Sequence, residues 1–516
     1  MRTSRTTGTQ SECRSRRWTA FLAIVAAVVI SGMTKITAAK PLPKVSGPIE
    51  VTANSYPFGA ADHTRVPTDL GKVGYVEEEF FTSGMANVYD WPKGGGPAVV
   101  RTPNSPYTTR VLVRRPISRA KFSGNVIVEM LNPSNLFDLN IGWAISHDQI
   151  VRSGDVWVGI TIKPISIEAL KNFDPVRYAS LSFANPLPLS DPRNCAEVGR
   201  DGQRTTENGL SWDIFTQVGA WLRSRDRSNP LTYGVTANAK HPVQYLFAWG
   251  YSQTGSYLYT YINAIHPLVV QSEKKPPYDG YFVAVSNSTA PINQCAKRLP
   301  PEDPRSQIKN VGVPVIHIMS QSDYLNAMSA RRPDSDTAPD LYRHYELAGS
   351  GHATPDELNF AASPDDIIKA KRSVPPLQCN EGPRSRFPSS VGFNAALRNL
   401  ELWVTKKIPP PHADPIKVEN GAPVLDKFGN VIGGIRTPFL DVPTSTWYGN
   451  STGESFCRIA GHEVPFDKSK LKELYPSHKA YVDAVKDSVS ALVEKGFIVR
   501  EDGAKLMEEA ERAEIP

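Results

Sequence analysis

The chain has 516 residues, 40% hydrophobic and 21% charged, with a formal net charge of +6. That balance describes a folded globular protein and excludes a disordered, fibrous or repeat-built one. The excess charge does not point to nucleic acid: residues 1–39 carry six cations against Glu12, so without them the formal +6 falls to +1, and no basic stripe interleaved with aromatics follows.

Residues 1–39 read as a leader. A polar, basic stretch, MRTSRTTGTQSECRSRR, precedes the apolar run WTAFLAIVAAVVISGM and a small-residue ending, TKITAA; these are the three parts of a secretory signal peptide. The run is short for a membrane span of about 20 residues, so cleavage near Ala39 and a secreted or periplasmic protein without a stable membrane span are expected, with an N-terminal anchor as the alternative if the leader is retained. Cys195, Cys295, Cys379 and Cys457 remain, enough for two disulfides in three connectivities. There is no CxxC or HExxH, and His462-Glu463 is an isolated pair, so neither a metal nor an organic cofactor is expected.

Residues 40–516 are expected to form a single domain. VGYVEEEFF and TTRVLVRRP read as strands, followed by NVIVEML at 125–131. From there β-type apolar runs alternate with helical patterns: WAISHDQIVRSG, VWVGITI, GLSWDIFTQVGAWLRS, VQYLFAWG, SYLYTYINAI, GYFVAVS, VPVIHIM and HYELAG. Strands buried on both faces and separated by helices predict an α/β fold with a mainly parallel central sheet flanked by helices, preceded by a few antiparallel strands. Residues 163–208, rich in Pro, Asn, Asp and Ser, leave the carboxyl end of a parallel strand, where α/β ligands bind, and make a candidate lid insert. Residues 459–516 read as a helical C-terminal extension.

Between VQYLFAW and a helical run stands GYSQTG at 250–255, a near match to the G-x-S-x-G nucleophile elbow with Thr254 at the second glycine position and Gly255 one place late. A serine hydroxyl needs a histidine base, a carboxylate to orient that base, and N–H donors for the developing oxyanion. In a hydrolase sheet these arrive in the order Ser, Asp or Glu, His. Ser252 is the candidate nucleophile, Asp323 after VPVIHIM the candidate acid, and His352 in the GSGH turn after HYELAG the candidate base. Asp334, Asp336 and Asp340 fall in a solvated loop and are weaker; His266, His317 and His344 read as structural. The oxyanion donors are expected to be the N–H of Gln253 together with that of Asn132 or Ser134, because Pro133 has none. Tyr178, Phe183 and Trp212 are candidate pocket-lining residues with packing as the favoured reading, and Asp174 and Asp213 read as structural.

GYVEEEFFTSGMANVYDW, FSGNVIVEMLNPS, DPVRYASLSFANP, WDIFTQVGAWLR, GYSQTGSYL, SQSDYLN, AGSGHAT and PFDKSKLKELYPSHKAYVDAV follow one another along the chain. With them the sequence resembles the large α/β-hydrolase-domain family of bacterial and fungal proteins whose elbow is written G-x-S-Q-S/T-G. The resemblance implies an α/β-hydrolase fold and esterase chemistry, without a substrate. One departure stands out: relatives often carry T-E-T-D where this chain has Ser320-Gln321-Ser322-Asp323, so a glutamate able to serve as the acid is Gln321 here. The expected protein is an exported serine hydrolase cleaving carboxylic esters, small or polymeric, through an acyl-enzyme. Amide or peptide cleavage by the same triad, and a non-catalytic binding role motivated by Gln321, are the alternatives. Cys295 and Cys379, both after elements near the site edge, are the expected bridge.

Overall fold

The computed structural model describes residues 42–515 apart from 200–201, 233–234 and 237–238; the expected leader lies outside the described residues. Its centre is a ten-stranded sheet built from β1 (Lys44–Ser46), β2 (Tyr75–Asp90), β3 (Val99–Pro116), β4 (Asn125–Met130), β5 (Val156–Ile160), β6 (Tyr245–Tyr251), β7 (Gly280–Ala284), β8 (Val315–Ser320), β9 (Ser335–Thr337) and β10 (Asp340–Leu347). The order across the sheet is β1-β2-β3-β5-β4-β6-β7-β8-β10-β9. The six strands from β5 to β10 in that order run parallel, and β1, β2, β3 and β9 are antiparallel to their neighbours.

The parallel strands are short, β-branched or aromatic runs buried on both faces, as β5, β7 and β8 show along their whole length. Helices α1 (Ile141–Ser153), α2 (Pro164–Phe173), α3 (Ser211–Leu222) and α4 (Gln253–Thr260) connect or flank them, and five tryptophans, Trp143, Trp157, Trp212, Trp221 and Trp249, are fully buried in the core. Helix α1 starts with its Gly142 and Trp143 N–H groups on the buried Glu129 carboxylate, at 2.7 and 3.1 Å, and the Trp157 indole donates to the same group at 2.8 Å. Burial pushes Glu129 up to about 7 against these donors.

Strands β2 and β3 run well beyond VGYVEEEFF and TTRVLVRRP, into a hairpin of 16 and 18 residues with a bulge between Ala86 and Val88. Pro103 and Pro106 make the start of β3 read as a loop. They are tolerated because β5 pairs only with Val111 to Arg114, which leaves one side of the proline-bearing half unpaired by any sheet strand.

The segment 163–208 is fastened at several points among its described residues. It opens with α2, pairs Ser182 with Thr108 of β3, and buries Tyr178 and Phe183. Arg177 and the Tyr178 hydroxyl hold the buried Glu79 carboxylate at 2.6 and 2.9 Å. The bridges are Cys195–Cys295 and Cys379–Cys457. The expected Cys295–Cys379 pairing is therefore wrong: Cys295 meets the insert, and Cys379 meets the turn Ser455–Ile459. Three helices, Lys468–Leu474, His478–Glu494 and Arg500–Arg512, end the chain and enclose a second apolar cluster with Val391 and Val442. Among the described residues no helix is long and apolar enough to cross a membrane.

Two of the histidines read as structural are buried and neutral. His266 sits between the Tyr281 hydroxyl and the Val311 carbonyl, His317 between the Tyr342 hydroxyl and the Ser286 carbonyl. Burial lowers His266 to about 4, and burial with the neighbouring His344 lowers His317 to about 3. Their folded values lie below the unfolded one, so the stability they confer is present above about 6.5 and is lost as pH falls toward those folded values. Replacing His317 by Gln should make the loss of unfolding free energy between about pH 7 and about pH 5 shallower by about 2 kcal/mol. Denaturant melts at the two pH values check this, and equal slopes in both proteins would contradict it.

Candidate active site

Strand β6 ends at Tyr251 and α4 begins at Gln253, so the chain must reverse at Ser252 alone, which takes φ 56° and ψ −115°. Such a turn brings strand and helix into contact, and two glycines make that approach fit. A Cβ on Gly250 would lie 2.3 Å from the Thr254 carbonyl oxygen. One on Gly255 would lie 2.7 Å from both the Ala284 carbonyl oxygen and the Ser286 Cβ. Gly255 thus serves the contact with β7, while Thr254 is buried beside the turn and uses its hydroxyl. The Thr254 Oγ1 accepts from the Tyr251 N–H at 3.0 Å and donates to the Tyr251 carbonyl at 3.0 Å.

The structure brings Ser252, His352 and Asp323 together. The Ser252 Oγ is 2.7 Å from the His352 Nε2, and the His352 Nδ1 is 3.0 Å from each Asp323 carboxylate oxygen. Asp323 closes the turn Gln321–Asp323 after β8, and His352 follows β10, so β6, β8 and β10, all parallel, deliver the three at one edge of the sheet. The Ser320 hydroxyl donates to Asp323 at 2.6 Å, and the Tyr251 hydroxyl donates to the His352 carbonyl at 2.6 Å. With Nδ1 facing only carboxylate oxygens, the proton sits on Nδ1 and Nε2 is left to accept from Ser252.

Burial disfavours the imidazolium, but the Asp323 charge and hydrogen bond outweigh it, with Glu357 adding to them, and His352 titrates above its usual value of 6.5. Glu357 is itself buried and paired with the buried Arg384 at 2.8 Å.

Gln321 points elsewhere. Its Oε1 accepts from the Gly349 N–H at 2.6 Å and its amide donates to the Trp447 carbonyl at 3.4 Å, so it braces the turn that carries His352. Asp334 and Asp336 pair with Arg343, and Asp340 with Arg332. Asp174 accepts from Ser55, and Asp213 accepts from the Asn87 N–H and the Tyr89 hydroxyl. Trp212 donates its indole N–H to the Ile292 carbonyl.

The loop after β4 meets the elbow through Asn132, whose side-chain amide donates to the Tyr251 carbonyl at 2.7 Å, and through the Ser134 hydroxyl, 3.4 Å from the Gln253 Oε1. Gln253 opens α4, so its N–H lies at the positive end of a helix. Neither loop amide stands open as expected. The Asn132 N–H is closed in a bridge to the Leu139 carbonyl, and the Ser134 N–H donates to the Asn132 Oδ1 at 2.8 Å. Sequence reasoning missed the supporting groups Tyr251, Ser320 and the Glu357–Arg384 pair; the signal that marks the first two is nearness in the chain, Tyr251 one residue before Ser252 and Ser320 three before Asp323.

Among solved structures, a thermostable esterase from Pseudomonas putida is similar at 12% identity over 66% of this chain and 86% of its own, with a TM-score of 0.29. An esterase from Pyrobaculum calidifontis is similar at 10% identity over 54% of this chain and 78% of its own, with a TM-score of 0.25. None of the curated protein sequences matches. The model of the alpha/beta hydrolase domain family matches residues 45–508, a span that holds the whole sheet beyond β1 and the cluster at its edge, and the chain belongs to that family.

Proposed function

We propose that the protein is an exported serine hydrolase that cleaves carboxylic ester bonds through an acyl-enzyme. The observation that carries this reading is the unbroken relay from the Asp323 carboxylate through His352 to the Ser252 hydroxyl at 3.0 and 2.7 Å. Ser252 attacks the ester carbonyl carbon as its proton passes to the His352 Nε2; the tetrahedral oxyanion collapses, and the same proton goes to the departing alcohol. Water then attacks the acyl-serine with His352 again as base. Asp323 holds the ring in the reactive tautomer and offsets the imidazolium charge.

The Gln253 N–H at the start of α4 supports an oxyanion site, with the Ser134 N–H joining it by exchanging its bond to the Asn132 side chain for one to the oxyanion. Closed in a backbone bridge, the Asn132 N–H is the weaker partner. The two disulfides support the export half of the reading, and the hold of Arg177 and Tyr178 on Glu79, with the Ser182–Thr108 bridge, supports a fixed segment in place of a moving lid. Gln321, the motive for a non-catalytic role, is occupied with Gly349 and Trp447, while a carboxylate faces His352 from Asp323.

On a short-chain p-nitrophenyl ester, Ser252→Ala should lose at least about 10³-fold in kcat and Asp323→Asn about 10³- to 10⁴-fold. Turnover unchanged in either variant would remove that residue from the mechanism. The base must be neutral to act, so kcat/KM should fall as pH drops through the His352 ionisation, with a midpoint above 6.5. A pH profile whose acid limb lies below that value would contradict the role given to Asp323.

A further inference from the structure

His352 lies in a turn of Gly349, Ser350 and Gly351, whose sequence does little to fix its own backbone, yet the imidazole must meet Asp323 on one side and Ser252 on the other. The groups that fix it come from elsewhere in the chain. The His352 N–H divides between the Ser322 Oγ at 3.0 Å and the Ile459 carbonyl at 2.8 Å, and the Ala353 N–H donates to the same carbonyl at 3.0 Å. Ser322 turns its own hydroxyl proton to the carbonyls of Gly449 and Ile459, the latter at 3.0 Å. Gly351 passes so near this segment that a Cβ there would lie 2.2 Å from the Ala460 carbonyl oxygen.

We propose that Ser322 is a positioning residue for the base, registering the His352 turn against the adjacent Asp323 and against the segment that the Cys379–Cys457 disulfide holds in place. The proposal rests on the hydrolase reading above. Its logic is geometric. Ser322 precedes the acid directly, so its hydroxyl moves with Asp323 and carries the backbone of the base along with it. The far anchor, Ile459, ends the turn Ser455–Ile459, and the fully buried Cys457 of that turn is bonded to Cys379. Acid, base and tethered segment therefore share one hydroxyl. The other disulfide, Cys195–Cys295, joins the insert to the loop after β7. The two bridges close loops of similar length, 78 and 100 residues, so losing either should cost comparable stability, and only the first should disturb the base.

The test uses the full chain on p-nitrophenyl butyrate. Ser322→Ala should lower kcat by about 10-fold or more, because small misplacements of reacting groups are costly, with KM within about twofold since the residue does not hold the substrate. Cys379→Ser combined with Cys457→Ser should lower kcat in the same way, while Cys195→Ser combined with Cys295→Ser should lose a similar amount of thermal stability yet keep kcat within about twofold. Wild-type kcat in Ser322→Ala, or equal losses of kcat in the two cysteine double variants, would overturn the positioning role. A wild-type protein that turns over no ester would overturn the hydrolase reading itself, and this role with it.

Discussion

At Ser252 the chain turns from β6 into α4 with φ 56° and ψ −115°, a backbone conformation that costs a non-glycine residue on the order of 1–3 kcal/mol and persists only where its surroundings over-determine it. Here they do. The Ser252 N–H donates to the Ala284 carbonyl at 2.9 Å, Gly250 and Gly255 let strand, helix and β7 close on one another, and Thr254 and Asn132 occupy the polar groups of Tyr251 on either side of the bend. The consequence is a hydroxyl lifted off the carboxyl edge of a sheet whose other parallel strands end at the same edge. Asp323 and His352 need only short loops to reach it.

What surrounds that edge is stiff. The loop after β4 is held through Asp138, which pairs with the buried Arg110 at 3.1 Å, and through the Leu136 carbonyl, which accepts from Arg372 at 2.8 Å; Arg110 also donates to the Phe58 carbonyl at 2.7 Å. Breaking one partner of such a buried charged network leaves the other uncompensated, so the loop beside the elbow is fixed by electrostatics as much as by packing. The insert is bound to the same region through Arg372, whose guanidinium reaches the Ile165 carbonyl and the Glu168 carboxylate, and through Arg177 on Glu79. Most of this frame is set before any substrate arrives, and the proposed oxyanion site asks only that the Ser134 N–H leave the Asn132 side chain.

The parallel core was legible because short β-branched or aromatic apolar runs bounded by turn residues alternate with longer helical patterns, so length and composition separate them. The cluster of Ser252, Asp323 and His352 was legible for a related reason: each residue follows a readable strand within a few residues, and chain order does the rest. The long hairpin was hidden by Pro103 and Pro106, whose tolerance depends on the pairing partner that a sequence does not display. Cysteine pairing, likewise, is fixed by which loops meet in space, and Cys379 meets Cys457 through a turn with no periodic signal. Gln321 stands where relatives often carry a glutamate, and what its side chain does instead, bracing Gly349, is a contact that a sequence does not display. The amides of Asn132 and Ser134 are closed by contacts within their own loop, a local hydrogen-bond choice that composition leaves open.

The account turns on Ser252 being the nucleophile, and a covalent probe addresses that without assuming any substrate. Treating the native protein with a fluorophosphonate and locating the added mass by peptide mapping should give a single stoichiometric adduct on the peptide that carries Ser252. No adduct on the folded protein, or an adduct on any other residue, would contradict it.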